Sequence, residues 1–300
     1  MDAEQSDWTA VFEEHRPVLL GVAYRMLGRV ADAEDVVQDT WLRWAAADRA
    51  EVRQPRAFLV RATTRLALDR LRSAQARRET YVGPWLPEPL PTDVRSEPVP
   101  DGADRVVLTE SVSVAVLVVL ESLSPLERAV FVLREAFGFP HEEIAAALDR
   151  SMAAVRQLAA RARSHVAERT PRYEVDPVQQ RELTQRFLDA ATRGDLDGLL
   201  AMLAPDARLV GDGGGKAKAP MRTITSAGKV GRFMAAIAQQ GVADLEFEFT
   251  ELNGAVALVG STGGKPSAAM LLDVADGVVH SVYLVANPDK LAHLHARHAG

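Results

Sequence analysis

Residues 211–220, GDGGGKAKAP, set three consecutive glycines beside a lysine, the makings of a phosphate cradle. That cradle needs G-x-x-x-x-G-K followed by Ser or Thr, so that backbone N–H groups ring the phosphates and a hydroxyl reaches Mg²⁺. Counting back from Gly215 and Lys216, the first glycine falls on Val210, and Ala217 fills the hydroxyl position. Both anchors are missing, so the loop has another use. Near the end of the chain, HLHARH brings His293, His295 and His298 to a spacing that could hold Zn²⁺ or Ni²⁺. No carboxylate or Cys follows to complete a site, and the sequence is read as having no metal and no cofactor. Acid–base catalysis would need a carboxylate or His of perturbed pKa facing a donor in a pocket. Tyr283 and His280 are the nearest candidates, and a single His on a strand is more often structural than catalytic.

Two zones of arginine carry more information. Val52–Arg78 holds eight arginines against Asp69, and Arg150–Arg172 holds six against Glu168. The second zone lies in DRSMAAVRQLAARARSHV, which follows GFPHEEIAAALD, so two helices meet at a tight turn near Asp149–Ser151. Ser151 suits the N-cap. Val155, Leu158, Ala159, Ala162 and Val166 form an inward stripe, with Arg156, Gln157, Ala160 and Arg163 opposite. Arg and Gln on the free face of a helix-turn-helix pair with base edges and phosphates in a major groove; a solvated face on an ordinary helical hairpin gives the same spacing. In the first zone, Phe58, Leu59, Leu66 and Leu71 pack inward while Arg56, Arg70 and Arg77 project, either to track a phosphate backbone or to balance the acidic helix before them. That helix, ADAEDVVQDTWLRW, has Asp32 placed to cap it, Val37, Trp41 and Trp44 as core, and Glu34, Asp35 and Asp39 as an acidic surface for a basic partner.

These side chains need elements to carry them. Residues 5–79 read as helix with short breaks, one at Gly28. VGPWLPEPLPTDVRSEPVP has six prolines between Pro84 and Pro100, a density neither helix nor central strand survives. Residues 104–169 are helical again. SVSVAVLVV (111–119) alternates like a strand but runs into LESL and is read as helix. Ser124, Pro125 and Glu127 make a capping box with a preorganised φ. After TPRYEVDP the period changes. Two short helices, the strand ARLVG and the helix SAGKVGRFMAAIAQQ precede LEFEFTEL, where Leu245, Phe247 and Phe249 point one way and Glu246 and Glu248 the other. Asn253-Gly254 and Asp276-Gly277 mark hairpins among AVALVGS, SAAMLLDV and VVHSVYLV. Helices followed by a curved antiparallel sheet predict an α+β domain.

The 300 residues allow two or three domains, and 47% hydrophobic with 25% charged residues describes an ordinary globular chain. No apolar run spans a bilayer, and the acidic MDAEQSDWTA is unlike a signal peptide. With no cysteine, disulfides and thiolate metal sites are excluded, which fits a cytoplasmic location. All five lysines lie at or after Lys216. A net charge of −6 argues against a protein that grips nucleic acid unaided.

ADAEDVVQDTWLRW, PRAFLVRATTRLALDRLR, LSPLERAVFVLREAFGFPHEEIAAAL and SMAAVRQLAARARSHV, in that order, resemble the extracytoplasmic-function sigma factors of bacterial RNA polymerase. The resemblance implies a multidomain chain: two all-α sigma domains, sigma-2 at 5–80 and a sigma-4 helix-turn-helix at 104–172, joined by a Pro-rich linker at 81–103. Its partners are core RNA polymerase, through the β′ clamp helices and the β flap, and promoter DNA, with no membrane. Glu34, Asp35, Gln38, Asp39 and Trp41 would bind the clamp helices. The segment around 48–72, with Arg53, Arg56, Arg61, Arg65 and Arg70, would recognise and melt the minus-ten element. Ser151, Arg156, Gln157, Arg161 and Arg163 would serve the minus-thirty-five element. Such a factor performs no reaction; the polymerase does.

Residues 178–300 resemble the SnoaL-like (NTF2-like) α+β cone, which some of these sigma factors carry as a regulator acting in cis. That group shares three elements. WLPEP is here Trp85, Leu86, Pro87, Glu88 and Pro89. DGGGK is Asp212, Gly213, Gly214, Gly215 and Lys216. NPDKL is Asn287, Pro288, Asp289 and Lys290 with Leu291. The expectation is a regulatory contact of the glycine loop with the linker or the acidic sigma surface, with room for a small-molecule ligand in the cone. Two other readings stand beside this one: a stand-alone ligand-responsive helix-turn-helix regulator, and a SnoaL-like enzyme fused to a DNA-binding module.

Overall fold

The computed structural model describes residues 2–48, 52–78, 80–92, 113–169, 177–239 and 245–297. Two compact units emerge, one from the residues up to 78 with 116–169, the other from 80–92 and 113–115 with the residues from 177 onward.

In the first unit α1 (Asp2–Leu27), α2 (Val30–Ala45) and α3 (Pro55–Arg78) pack on one another. Gly28, at φ 70, makes the break between α1 and α2 that the sequence marks. The core is Leu19, Val22, Met26, Val36, Val37, Trp44, Leu59 and Leu71, all buried. Trp8 and Trp44 stack at 3.7 Å and exchange bonds, each indole N–H donating to the other's backbone carbonyl at 3.0 and 2.9 Å. Trp41, expected in the core, is only partly buried, edge-on to Phe12. α2 starts on Arg29 with no side-chain cap, so Asp32 lies inside the first turn, 4.0 Å from Arg29, instead of capping it.

Then come α4 (Val114–Leu120), α5 (Pro125–Phe131, extended by a π turn to Ala136), α6 (His141–Leu148) and α7 (Met152–Arg169). The alternating valines of α4 do form helix; the part of that stretch before Ser113 lies outside the described residues. The capping box is complete: Ser124 accepts from the Glu127 amide, and Glu127 accepts from the Ser124 amide at 3.1 Å. Asp149 closes α6 at φ 55, and the next amide reaches back to the Ala145 carbonyl at 3.0 Å, which sets the sharp turn into α7.

The second unit holds α8 (Pro177–Arg193), α9 (Leu196–Met202), α10 (Ala227–Gln239) and a six-stranded sheet in the order β2-β1-β6-β5-β4-β3. Its strands are β1 (Leu203–Asp212), β2 (Ile224–Thr225), β3 (Leu245–Leu252), β4 (Ala255–Thr262), β5 (Lys265–Ala275) and β6 (Val278–Val285). The sheet is mixed, a departure from the antiparallel expectation, because β6 returns beside β1 in the same direction. The expected hairpin turns at Asn253-Gly254 and Asp276-Gly277 have positive φ at both residues, and so does Gly263-Gly264, a third turn of the same kind. Phe187, Leu199, Leu209, Val230, Leu258, Leu272 and Val282 fill the space between helices and sheet. Phe247 and Phe249 keep 43% and 40% of their surface exposed on the outermost strand, β3.

Ser124 hydrogen bonds hold the Glu127 carboxyl below its ordinary range. A Ser124→Ala variant should lose about 1 kcal/mol of helix stability at neutral pH, read as faster amide exchange across residues 124–128. A depressed carboxyl pKa contributes stability that is present above the unfolded value and lost as pH falls through the folded one. The exchange difference between variant and parent should therefore narrow in acid.

Candidate functional site

On α2 the expected polymerase-facing residues stay accessible: Glu34, Asp35 and Gln38 are exposed, and Asp39 and Trp41 half-buried. Arg70, expected on DNA, lies instead between two of them. One guanidinium nitrogen donates to Asp35 Oδ2 and the other to Asp39 Oδ2, each at 2.9 Å. Burial opposes its charge, but the hydrogen bonds and charges of the two carboxylates outweigh that, so Arg70 titrates above its ordinary value.

Two other arginines of this zone line a cleft of about 690 Å³, with Arg53, Phe58 and Arg61 on one wall and Phe139, Glu142, Glu143 and Ile144 on the other. α6 packs directly on α3. The Arg65 Nε–H donates to the Ala147 carbonyl at 3.1 Å, and the Arg56 guanidinium lies over the Phe139 ring at 4.7 Å. Two buried arginines, which the sequence did not single out, fasten α5 to α1. Arg128 pairs with Glu121 and donates to the Arg25 carbonyl at 3.1 Å; Arg25 lies 4.7 Å over Phe137. Burial lowers them to about 9 and about 10 respectively, so both stay charged at neutral pH.

On α7 the inward stripe is as expected, with Val155, Ala159 and Ala162 fully buried and Leu158 and Val166 partly so. Ser151 caps the helix, accepting from the Ala154 amide at 3.2 Å. Arg156, Gln157, Ala160 and Arg161 face out, as does Arg163, which lies 3.5 Å from Glu135. Arg156 and Arg161 thus give this face exposed cations on a helix whose other side is buried.

In the second unit the three shared elements come together. The described linker, 80–92, packs onto the α+β unit, with Leu86, Pro87, Glu88 and Pro89 buried. Asp212 is fully buried and accepts from the Tyr81 hydroxyl (2.6 Å), the Leu86 amide (2.8 Å) and Lys290 Nζ (2.6 Å). Lys290 also donates to the Leu86 carbonyl and lies 4.0 Å over the Trp85 ring. Asn287 caps the Pro288–Lys290 turn and donates to the Tyr81 hydroxyl at 2.8 Å; Lys216 pairs with Asp289 at the surface. The glycines are needed for close approach. A Cβ on Gly213 would meet the Ala217 carbonyl, and one on Gly214 (φ 57) would collide with Asn287 and Tyr81. Gly215 (φ 70) faces Val82. Further along, Pro91 bridges Leu252, the Thr92 amide donates to Glu251, and the Asn253 amide donates to Leu90.

Tyr81 and His293 are the participants that sequence reasoning missed. Tyr81 precedes the shared element. His293 belongs to the run weighed as a metal site, yet its Nε2 meets the Pro89 carbonyl at 2.6 Å and its Nδ1 lies 2.9 Å from Glu88. The described residues contain no metal-ligating cluster, and the His295 and His298 side chains lie outside them. Burial pushes the Tyr283 phenol up to about 12 and raises the Asp273 carboxyl; Asp273 sits opposite Ser281 in the sheet. No helix among the described residues is long and apolar enough to cross a membrane.

An acid-faced helix braced by an arginine helix, followed by a helix-turn-helix, defines a sigma factor of the sigma-70 class. The Sigma-70 region 2 model matches residues 11–77 and the Sigma-70, region 4 model residues 113–166. The chain belongs to the extracytoplasmic-function (ECF) RNA polymerase sigma factors. It is 41% identical over 289 residues to ECF RNA polymerase sigma factor SigJ of Mycobacterium tuberculosis, covering 93% of this chain and 91% of that one. It is 39% identical over 199 residues to the probable ECF RNA polymerase sigma factor SigI of the same species, covering 66% and 67%. The crystal structure of the M. tuberculosis SigJ protein matches with a TM-score of 0.76 at 36% identity, covering 95% of this chain and 98% of that one. The cone reading of the C-terminal unit agrees with that full-length match.

Breaking the buried pair by Lys290→Met leaves Asp212 charged and uncompensated, which should destabilise the docked linker by about 3–5 kcal/mol. Gly214→Val should release the same segment sterically. Both variants should be cut faster by chymotrypsin at Tyr81 or Trp85, and a Lys216→Met variant, which loses only a surface pair, should not.

Proposed function

We propose that this chain directs RNA polymerase to promoters from within the cytoplasm, holding α2 against the β′ clamp helices, the sigma-4 domain against the β flap, and two arginine-bearing helices against promoter DNA. The observation that carries this is the α7 face: Arg156, Gln157 and Arg161 project freely from a helix whose opposite stripe is locked in a core. Such side chains pair with base edges and phosphates in a major groove, here the minus-thirty-five element. Arg53, Arg56, Arg61 and Arg65 serve the minus-ten element. The factor catalyses no reaction itself.

The sigma unit is closed. α6 covers the part of α3 that carries Arg65 and puts two carboxylates across the cleft from Arg53 and Arg61. Reading the minus-ten element therefore requires α6 to leave. The α+β unit regulates this in cis by holding the linker that separates the two DNA-reading helices, through Asp212, Lys290 and the glycine loop. The polar contacts that hold residues 81–90 support linker docking as the role of the cone.

Runoff transcription with core polymerase tests the assignment: RNA should start from a cognate promoter only when chain and core are both present. A chain that shifts promoter DNA without core would be the stand-alone regulator. Arg156→Ala or Gln157→Ala should change discrimination at one base pair of the upstream element by about 1–3 kcal/mol. Arg163→Ala should weaken all promoters alike and reduce the salt slope by about one.

The closed state has its own test, made clean by the absence of native cysteine. A Gln54→Cys, Glu143→Cys chain, joined across the cleft rim by a reducible bismaleimide, should bind core polymerase yet fail to open a promoter. Reduction should restore opening. Full activity in the joined form would show that α6 need not move.

A further inference from the structure

We propose that Arg70 is a positioning residue of the polymerase-binding face, fixing Asp35 and Asp39 for the clamp, and does not contact DNA. This rests on the reading of α2 as the polymerase-binding helix.

Helix geometry separates Arg70 from the other arginines of α3. At about 100° per residue, Arg61 and Arg65 lie about 40° apart, whereas Arg70 lies about 180° round from Arg61. It shares its face with Thr63, seven residues earlier, whose hydroxyl meets the Thr40 hydroxyl of α2 at 3.1 Å. One side of α3 is thus committed to α2 and the other to the DNA-reading cleft, and Arg70 is on the α2 side.

The contact there is a fork. Its two terminal nitrogens each take one Oδ2, from carboxylates four residues apart on one face of α2. The second oxygen of each carboxylate is left to accept from a partner. Arg70 is 32% exposed, against 61% for Asp35 and 42% for Asp39, so it lies under the surface it organises. Glu34, Gln38 and Trp41 form the adjoining stripe, with no such brace from Arg70. Freezing two carboxylate rotamers before binding removes an entropic cost from association.

The direction of the effect distinguishes positioning from bulk charge. Removing Arg70 makes the face more negative, so long-range attraction to a basic clamp would rise and vanish in salt. Loss of preorganisation does the reverse and persists in salt.

The test uses the full chain as Arg70→Gln and Arg70→Lys, titrated against core polymerase at low and high salt, with Glu34→Gln as control. Arg70→Gln should bind core roughly tenfold more weakly at high salt, two side chains having lost their restraint. Arg70→Lys should fall between, since an ammonium cannot reproduce the planar fork. At saturating factor, the salt slope of promoter binding by either holoenzyme should equal the parent's. A slope reduced by about one, or core affinity equal to or above the parent's, overturns the proposal. If Glu34→Gln and both Arg70 variants all leave core binding unchanged, the reading of α2 fails; if only Glu34→Gln weakens it, the Arg70 assignment alone fails. Unchanged Trp8–Trp44 fluorescence establishes that the variants are folded.

Discussion

The buried pair of Asp212 and Lys290 joins three segments that are far apart in sequence. A charge removed from water is tolerated only when paired and hydrogen-bonded. Asp212 has a hydroxyl, an amide and an ammonium as donors, while Lys290 has a carboxylate, a carbonyl and an aromatic face around it. Most of these partners belong to the linker. Undocking residues 81–86 would strip the Asp212 carboxylate of two donors and expose the ion pair to water. The linker is therefore held by polar groups that would be costly to leave unmet. Apolar burial of Leu86 and Pro87 adds to this. Docking of this kind is close to all-or-none, because each group satisfies several others.

α3 shows how one helix serves two ends. Seen down its axis, Thr63 and Arg70 bind α2, Leu59 and Leu71 fill the core, Arg61 lines the cleft and Arg65 bonds to α6. Eight arginines on this stretch read as one cationic surface in a linear sequence. In three dimensions Arg61, Arg65 and Arg70 are sorted by angle, and the charge of Arg70 is spent on carboxylates. A chain of net charge −6 can carry DNA-reading faces because its cations are grouped locally, even with carboxylates such as Glu142 and Glu143 beside them.

What could be read in advance follows from which interactions are local. The capping box at Ser124, the Ser151 cap, the hairpin turns and the α7 stripe all depend on residues within a few positions, and each is legible. The failures are long-range. Asp32 has the right type for a cap, but Arg29 takes that position because the chain enters α2 one turn earlier. The parallel pairing of β1 with β6 depends on a return path that no local period encodes. Tyr81 lacks any local signal, since its partners Asp212 and Asn287 are over a hundred residues away. The glycine loop reads as a contact, and of its two expected surfaces, the linker and the acidic sigma surface, it meets the linker.

His293 makes the same point from the other side. Three histidines in six residues invite a metal, because spacing is all the sequence offers. The His293 ring lies between the Pro89 carbonyl and Glu88, so both of its nitrogens face groups of the linker. The hydrogen bond of its Nε2 with the Pro89 carbonyl holds the linker beyond the point that Lys290 holds. The C-terminal residues from Asn287 to Leu294 thus act as a bracket for the described linker, with polar contacts at Leu86 and Pro89 and the buried Leu291 and Leu294 behind them. Truncation before Asn287 would remove the bracket and leave Asp212 charged without its ammonium. The last strand of the sheet would survive such a cut in sequence, but the linker would lose the groups that hold it. The polar groups that hold the described linker therefore come from the bracket and from Asp212 at the head of the glycine loop.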